Sequence, residues 1–195
     1  MDLLNGQRFS VASYSIAAAY AGWLLRQFGA EIAHTTALDP EGMGAFLAEG
    51  GSFAANPALK AEPGATLITD LPVTADSRAE LANLATAGRV IWLTPWGLDS
   101  DWSERPASDL VLHAAGGWMA SVGEPDREPL GPPVALGQFA AGLFAAVAAV
   151  APGAPSTGLT GVSIAETVAA TMIYDSVSFQ YLGALRGRVG NRFAR

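Results

Sequence analysis

The sequence predicts an α/β fold, an open and mostly parallel sheet with helices on both faces. Two observations carry this. Short apolar runs alternate with segments that are apolar at helical spacing through the first hundred residues, and helices follow. Arg89-Val-Ile-Trp-Leu-Thr94 is a continuous apolar run of the kind buried on both sides of a parallel sheet. At 195 residues, half of them hydrophobic, the chain is read as a single α/β domain over residues 1–195.

Taken in order, Gln7 to Ser13 is a short strand. Ser15 to Phe28 carries Ile16, Tyr20, Trp23 and Leu24 at helical spacing, and Gly29 closes that helix as a left-handed cap. Glu31 to Thr35 reads as the second strand. Residues 40–64 are rich in glycine and proline, with a short helix near Gly44 to Ala48. Thr66-Leu-Ile-Thr-Asp70 is the third strand, Asp76 to Thr86 an amphipathic helix, and Arg89 to Thr94 the fourth strand. The remainder reads as helical, in three pieces beginning near Ser108, Ala135 and Ser163. The last runs to Leu185, with apolar residues around much of its circumference.

Composition excludes several classes. Eleven basic against eighteen acidic residues give a net charge of -7, which argues against nucleic-acid or anionic-membrane binding. No cysteine is present, so disulfides, thiolate metal sites and cysteine nucleophiles are out, and a cytoplasmic location is expected. The first residues lack the basic and apolar regions of a secretory signal. Val134 to Ala151 is uncharged but alanine-rich and broken by Gly137, Gln138 and Gly142, so Ala135 to Ala151 is expected to be a buried helix rather than a membrane span. Glycine-rich phosphate loops are absent, as is a nucleophile elbow. Neither His34 nor His113 has a second histidine at helical spacing, so no metal is expected.

From Arg105 onward, five local signals fall into a particular order. Arg105-Pro-Ala-Ser-Asp109-Leu-Val leads to the loop Gly123-Glu-Pro-Asp, then to Gln138-Phe-Ala-Ala-Gly142-Leu-Phe-Ala-Ala, then to Val162-Ser-Ile-Ala-Glu166-Thr-Val and Arg188-Val-Gly-Asn-Arg192. Nearer the start, Gly6-Gln-Arg-Phe-Ser, Ala19-Tyr-Ala-Gly-Trp-Leu-Leu and Phe28-Gly-Ala-Glu-Ile continue the match. In this order the chain resembles the family III CoA-transferases, which include formyl-CoA and carnitine CoA-transferases and the methylacyl-CoA racemases. The resemblance implies a Rossmann-like large domain, a second, smaller domain carrying a glycine-rich loop over the active site, and a dimer of interlocked chains. The resemblance covers the first half of such a protein, and the small domain is expected to be absent from this chain. The ligand implied is coenzyme A, as the substrate thioester.

Glu166 falls where the transferases carry a nucleophilic carboxylate. There the carboxylate attacks an acyl-CoA thioester to give a mixed anhydride and CoA thiolate. The thiolate returns to form an enzyme-CoA thioester, and an acceptor acid runs the sequence in reverse. A helix start offers backbone N–H groups to hold the developing oxyanion. On residue type alone, Ser163-x-x-Glu166 is equally a capping box, and both readings stand at this point.

Other positions differ from the family pattern. The lysine after the second strand is replaced by His34, read either as a contact to a CoA phosphate or as an ordinary exposed histidine. Asp70 stands in the loop after the third strand, where an acid would repel the CoA pyrophosphate, and Gln138 replaces the usual aspartate of the alanine-rich helix. Ser108, most simply an N-cap, takes the place of the racemase histidine, so racemisation is disfavoured; His113 reads as a packed helical residue. Trp92, Trp96, Trp102 and Trp118 cluster near the fourth strand, Trp96 and Trp102 where relatives line the acyl pocket. Trp96 is therefore a candidate contact to an acyl group or adenine, and Arg105 to a CoA phosphate. Arg186, Arg188, Arg192 and Arg195 form a basic tail suited to an acidic partner or to a helix end.

Two functional classes remain. One is a CoA-transferase acting on an acyl-CoA and a carboxylic acid, as a homodimer or completed by a chain carrying the missing half. The alternative is a CoA-binding or assembly module that keeps the fold without the chemistry.

Overall fold

The computed structural model describes residues 2–59, 64–184 and 187–190. The expected helix end at Leu185 and the arginines Arg186, Arg192 and Arg195 lie outside these residues.

Among the described residues six strands form, four of them where the β-branched and apolar runs occur: β1 (Arg8–Ser13), β2 (Glu31–Thr36), β3 (Ser52–Phe53), β4 (Thr66–Thr69), β5 (Arg89–Thr94) and β6 (Gly158–Ser163). They make one sheet in the order β3-β2-β1-β4-β5-β6, and every pairing is parallel. The helices are α1 (Ile16–Gln27), α2 (Gly42–Leu47), α3 (Ala75–Ala87), α4 (Asp109–Ala115), α5 (Leu136–Val150), α6 (Ile164–Thr171) and α7 (Ile173–Leu182). Four strands and the first three helices follow the sequence reading to within a residue or two. Gly29 takes a positive φ of 93° just beyond α1, the closing role expected of it.

Two strands were not foreseen. β3 is only two residues long. β6, Gly158-Leu-Thr-Gly-Val-Ser163, reads locally as a glycine-broken loop and becomes a strand only by pairing with β5 from Arg89↔Gly158 to Thr94↔Ser163. The expected final helix also differs. It breaks at Met172, which closes α6 and precedes α7.

Helices cover both faces. On one, α1 and α5 lie over Val11, Ile68, Ile91 and Leu93. On the other, α3 covers Ala12, Leu67, Val90 and Trp92 with Leu81 and Ala85. The two helices of the first face approach closely because small residues meet there. A Cβ on Gly142 would sit 2.5 Å from the Ala17 carbonyl oxygen, so no larger residue fits without separating α1 from α5.

This corrects one expectation. Helix α5 is not buried all round. Its alanine and glycine side faces α1 and the sheet, whereas Leu143, Phe144 and Val147 are exposed. Among the described residues no helix is long and apolar enough to cross a membrane.

The strand order sets the position of the crevice. From β1 the chain moves to β2 on one side; from β4 it moves to β5 on the other. The carboxyl ends of β1 and β4 therefore flank a topological switch point, where open α/β sheets of this Rossmann-like order bind their ligands.

Candidate functional site

The loops at the carboxyl ends of β4, β5 and β6 build two adjoining hollows. After β5 the chain turns sharply. The Gly97 N–H donates to Thr94 Oγ1 (3.0 Å), and Gly97 has a φ of 87°, which a glycine accommodates. Beside it, β6 ends at Ser163 and α6 begins. The Ser163 hydroxyl accepts the Glu166 N–H (3.2 Å), and the Thr167 hydroxyl donates to the Ser163 carbonyl (2.8 Å). The Ala165 N–H donates to the Pro95 carbonyl (3.0 Å), tying the helix start to the β5 loop.

Glu166 is exposed on an open cleft of about 500 Å3, shared with Trp96, Leu98, Asp99, Leu159 and Ser163 over Gly97 and Gly161. Only half of the expected capping box forms. Ser163 receives the Glu166 amide, but among the described residues the Glu166 carboxylate does not return the bond. One expectation is revised here. The Ala165 and Glu166 N–H groups are already occupied by Pro95 and Ser163, so they are not free to hold an oxyanion.

Trp96 and Trp102 meet edge to face, 5.1 Å between centroids. The Trp96 indole N–H donates to the Arg105 carbonyl (3.1 Å), and the Arg105 guanidinium lies 5.3 Å from the Trp102 ring centre. Arg78 anchors the loop, reaching the Leu98 carbonyl (2.9 Å) and the Ser103 hydroxyl (2.8 Å). Arg105 is exposed and lines the second hollow, a cavity of about 300 Å3 at the switch point. The four tryptophans do not form one cluster. Trp92 is fully buried in the α3-side core, and Trp118 sits by His113 on the opposite face.

Asp70 borders that second cavity, but its charge is turned inward. Its carboxylate accepts the backbone N–H of Tyr14 (2.5 Å), Ser15 (3.1 Å) and Ala18 (3.1 Å) and the Ser15 hydroxyl (2.6 Å). Burial pushes its carboxyl up from the ordinary value, and the bonds from Ser15, Tyr14 and Ala18 pull it back down. Asp70 is thus not the free loop acid the sequence suggested: it serves as the acid of the α1 N-terminus. Gln138 completes the arrangement. Its side-chain oxygen accepts the Ile16 N–H (2.9 Å), and its amide nitrogen donates to both oxygens of Asp109 (3.0 and 3.1 Å). Sequence reasoning missed this network. The available signal was a twelve-residue helix with no acid in its first turn.

The structure does not bring His34 to the Glu166 cleft. Strands β2 and β6 stand four spacings apart in the sheet, about 19 Å. His34 is also buried, which corrects the expectation of an exposed histidine. Ser13 donates its hydroxyl to Thr36 Oγ1 (2.8 Å), so it accepts from His34 Nε2–H at 2.8 Å. His34 Nδ1 has no partner among the described residues. Desolvation, with the nearby Arg26 charge, pushes the His34 pKa down to about 4. The folded state therefore resists protonation that the unfolded chain accepts near its ordinary value, so stability is complete above that value and falls as pH drops toward 4. We expect the wild type to lose about 2–3 kcal/mol more than His34→Gln between pH 7 and pH 4.5 in urea titrations. Parallel losses in the two proteins would contradict this.

His113, as expected, is internal. Its Nδ1–H donates to the Asp109 carbonyl (2.5 Å), and its Nε2 accepts the Gly137 N–H (3.1 Å). Ser108 caps α4, accepting the Val111 N–H at 3.4 Å. At the far end of the match, Arg188 donates to the carbonyls of Glu124, Pro125 and Arg127, holding the Gly123 loop.

Comparison with known proteins decides the family. The model for CoA-transferase family III matches residues 90–193, more than half of the chain. The chain belongs to CoA-transferase family III. Among solved structures it is similar to a CAIB/BAIF family protein from Brucella suis, with 18% identity and a TM-score of 0.71, covering 96% of this chain and 60% of that one. Rv3272 from Mycobacterium tuberculosis is similar too, at 19% identity and a TM-score of 0.68, covering 94% of this chain and 59% of that one. At these identities the likeness concerns the fold, and the family III chain spans about 60% of the length of these relatives. No curated protein matches it. The matched residues hold Trp96, Arg105, Gln138, Glu166 and Arg188; His34 and Asp70 precede them.

Proposed function

We propose that the chain is the nucleotide-fold part of a CoA-transferase, moving CoA between an acyl-CoA thioester and a free carboxylic acid. Glu166 is the acyl acceptor. Its carboxylate attacks the thioester carbonyl and expels CoA thiolate, which leaves a mixed anhydride. Thiolate attack on the Glu166 carbonyl then releases the first acid and leaves CoA on the enzyme as a thioester, and the second acid reverses both steps. One observation carries this reading: the Glu166 carboxylate is not consumed by helix capping and faces an open cleft at the carboxyl edge of the sheet. Trp96 forms a wall of that cleft and contacts the acyl group or adenine. Arg105, on the adjoining rim, meets a CoA phosphate. His34, enclosed by Ser13 and the sheet, is assigned no ligand contact.

A second reading, a CoA-binding or assembly module without chemistry, is favoured by the lining of the cleft. Among the described residues it holds two carboxylates, Asp99 and Glu166, and no cation. The two readings separate on reconstitution. The chain would be joined to, or mixed with, a segment equivalent to the rest of its solved relatives, and exchange of labelled CoA between acyl-CoA and acid would be measured. Exchange supports the transferase; CoA binding without exchange supports the module.

Completion by another chain, a second copy or a partner with the remaining fold, also draws support from α7. Ile173, Tyr174, Phe179, Tyr181 and Leu182 are all exposed there, and no residue of α7 is buried. A helix apolar on this many sides requires cover. Light scattering at micromolar concentration is expected to show a dimer or larger species. A monomer at that concentration would count against this assembly.

A further inference from the structure

At the switch point of a sheet with this strand order, a ligand phosphate ordinarily rests on the N–H groups that open the first helix. Here those groups are already taken. Tyr14, Ser15 and Ala18 donate to Asp70, Ile16 donates to Gln138, and the Ser15 hydroxyl adds a fourth bond to the Asp70 carboxylate. Helix α1 itself provides no acid in its first turn. The negative charge at its positive end comes from the β4 loop, more than fifty residues later in the chain.

The adjoining cavity of about 300 Å3 matches this arrangement. Its floor is apolar, formed by Val73, Leu93, Leu112 and Ile164, with prolines around it. Asp70 and Gln138 reach its wall with their hydrogen-bonding capacity directed into the protein. Arg105 and Glu104, both exposed, stand on the rim rather than on this apolar floor.

We propose that Asp70 is a built-in anion: its carboxylate occupies the place of a ligand phosphate at the switch point and leaves the adjoining cavity to an uncharged, apolar group. Asp70 is thereby a specificity-determining residue. A phosphate entering the crevice meets a carboxylate where it needs donors, and like charges repel. An aliphatic chain enters without displacing any hydrogen bond and covers the floor. This assignment does not depend on the chemistry of Glu166, which lines the other hollow.

The test follows backbone amide signals of the full chain by NMR while two probes are added separately, inorganic pyrophosphate and hexanamide. In the wild type, millimolar hexanamide is expected to move the signals of Leu93, Leu112 and Ile164, and pyrophosphate to leave those of Tyr14, Ser15 and Ala18 in place. In Asp70→Ala the vacated donors should respond to pyrophosphate, with saturable shifts at the same three amides. Asp70→Ser, which retains one acceptor for the helix start, serves if the alanine variant does not fold. Pyrophosphate shifts at Tyr14, Ser15 and Ala18 in the wild type would overturn the proposal. So would a folded Asp70 variant that ignores pyrophosphate, or a wild-type cavity that ignores hexanamide.

Discussion

Replacing Glu166 by glutamine is expected to abolish CoA transfer in the reconstituted enzyme, by about a thousandfold or more, with little change in stability. In the proposed mechanism the carboxylate takes the acyl unit, and an uncharged amide cannot form the anhydride. The fold has little stake in the charge. The helix start is capped by the Ser163 hydroxyl on the Glu166 N–H and by the Ala165 N–H on Pro95, and both contacts use the backbone of α6. The unfolding free energy of Glu166→Gln should therefore stay within about 0.5 kcal/mol of the wild type. If Glu166→Gln lost stability by much more, with transfer retained, Glu166 would be a cap and the nucleophile would lie elsewhere.

Trp92→Ala is expected to give the largest loss of stability, about 4 kcal/mol in urea or guanidinium titrations. Trp92 is fully buried among Leu67, Leu81, Ala85 and Val90 beneath α3, and its indole N–H donates to the Leu71 carbonyl at 2.8 Å. Truncation leaves a cavity and an unpaired carbonyl. Trp92→Phe fills most of the space and loses the bond, and is expected to cost about 1–2 kcal/mol. A loss below about 1.5 kcal/mol for the alanine variant would mean that the core between α3 and the sheet is not packed as described.

The parts legible in the sequence are those fixed by local chemistry. The alternating apolar runs gave β1, β2, β4 and β5, and the serine caps read before α4 and α6 are where Ser108 and Ser163 stand; Ser15, which caps α1, was not read as a cap. Long-range pairing fixed the rest. The glycines and threonine of β6 become a strand only because β5 offers an unpaired edge, and no local pattern announces that. His34 looks like a surface histidine until β1 places Ser13 beside it. Asp70 looks like a repulsive charge until its partners, Tyr14 to Ala18, are brought to it across the β1–β4 crevice. The family resemblance offered Trp96 as an acyl-pocket candidate without placing it against Glu166, and the fold brings the two to one cleft by tying the β5 loop to the start of α6. The paired use of Gln138 by Ile16 and Asp109 joins three helices and leaves no trace in a single sequence.

The proposed chemistry rests on one covalent bond, and peptide mass spectrometry reads it directly. The reconstituted protein would be incubated with an acyl-CoA, quenched with hydroxylamine and digested. A hydroxamate on Glu166, absent without acyl-CoA and absent from Glu166→Gln, is the expected result. A hydroxamate on Asp99 of the same cleft in place of Glu166, or an unmodified Glu166 under conditions where CoA exchange proceeds, would contradict it.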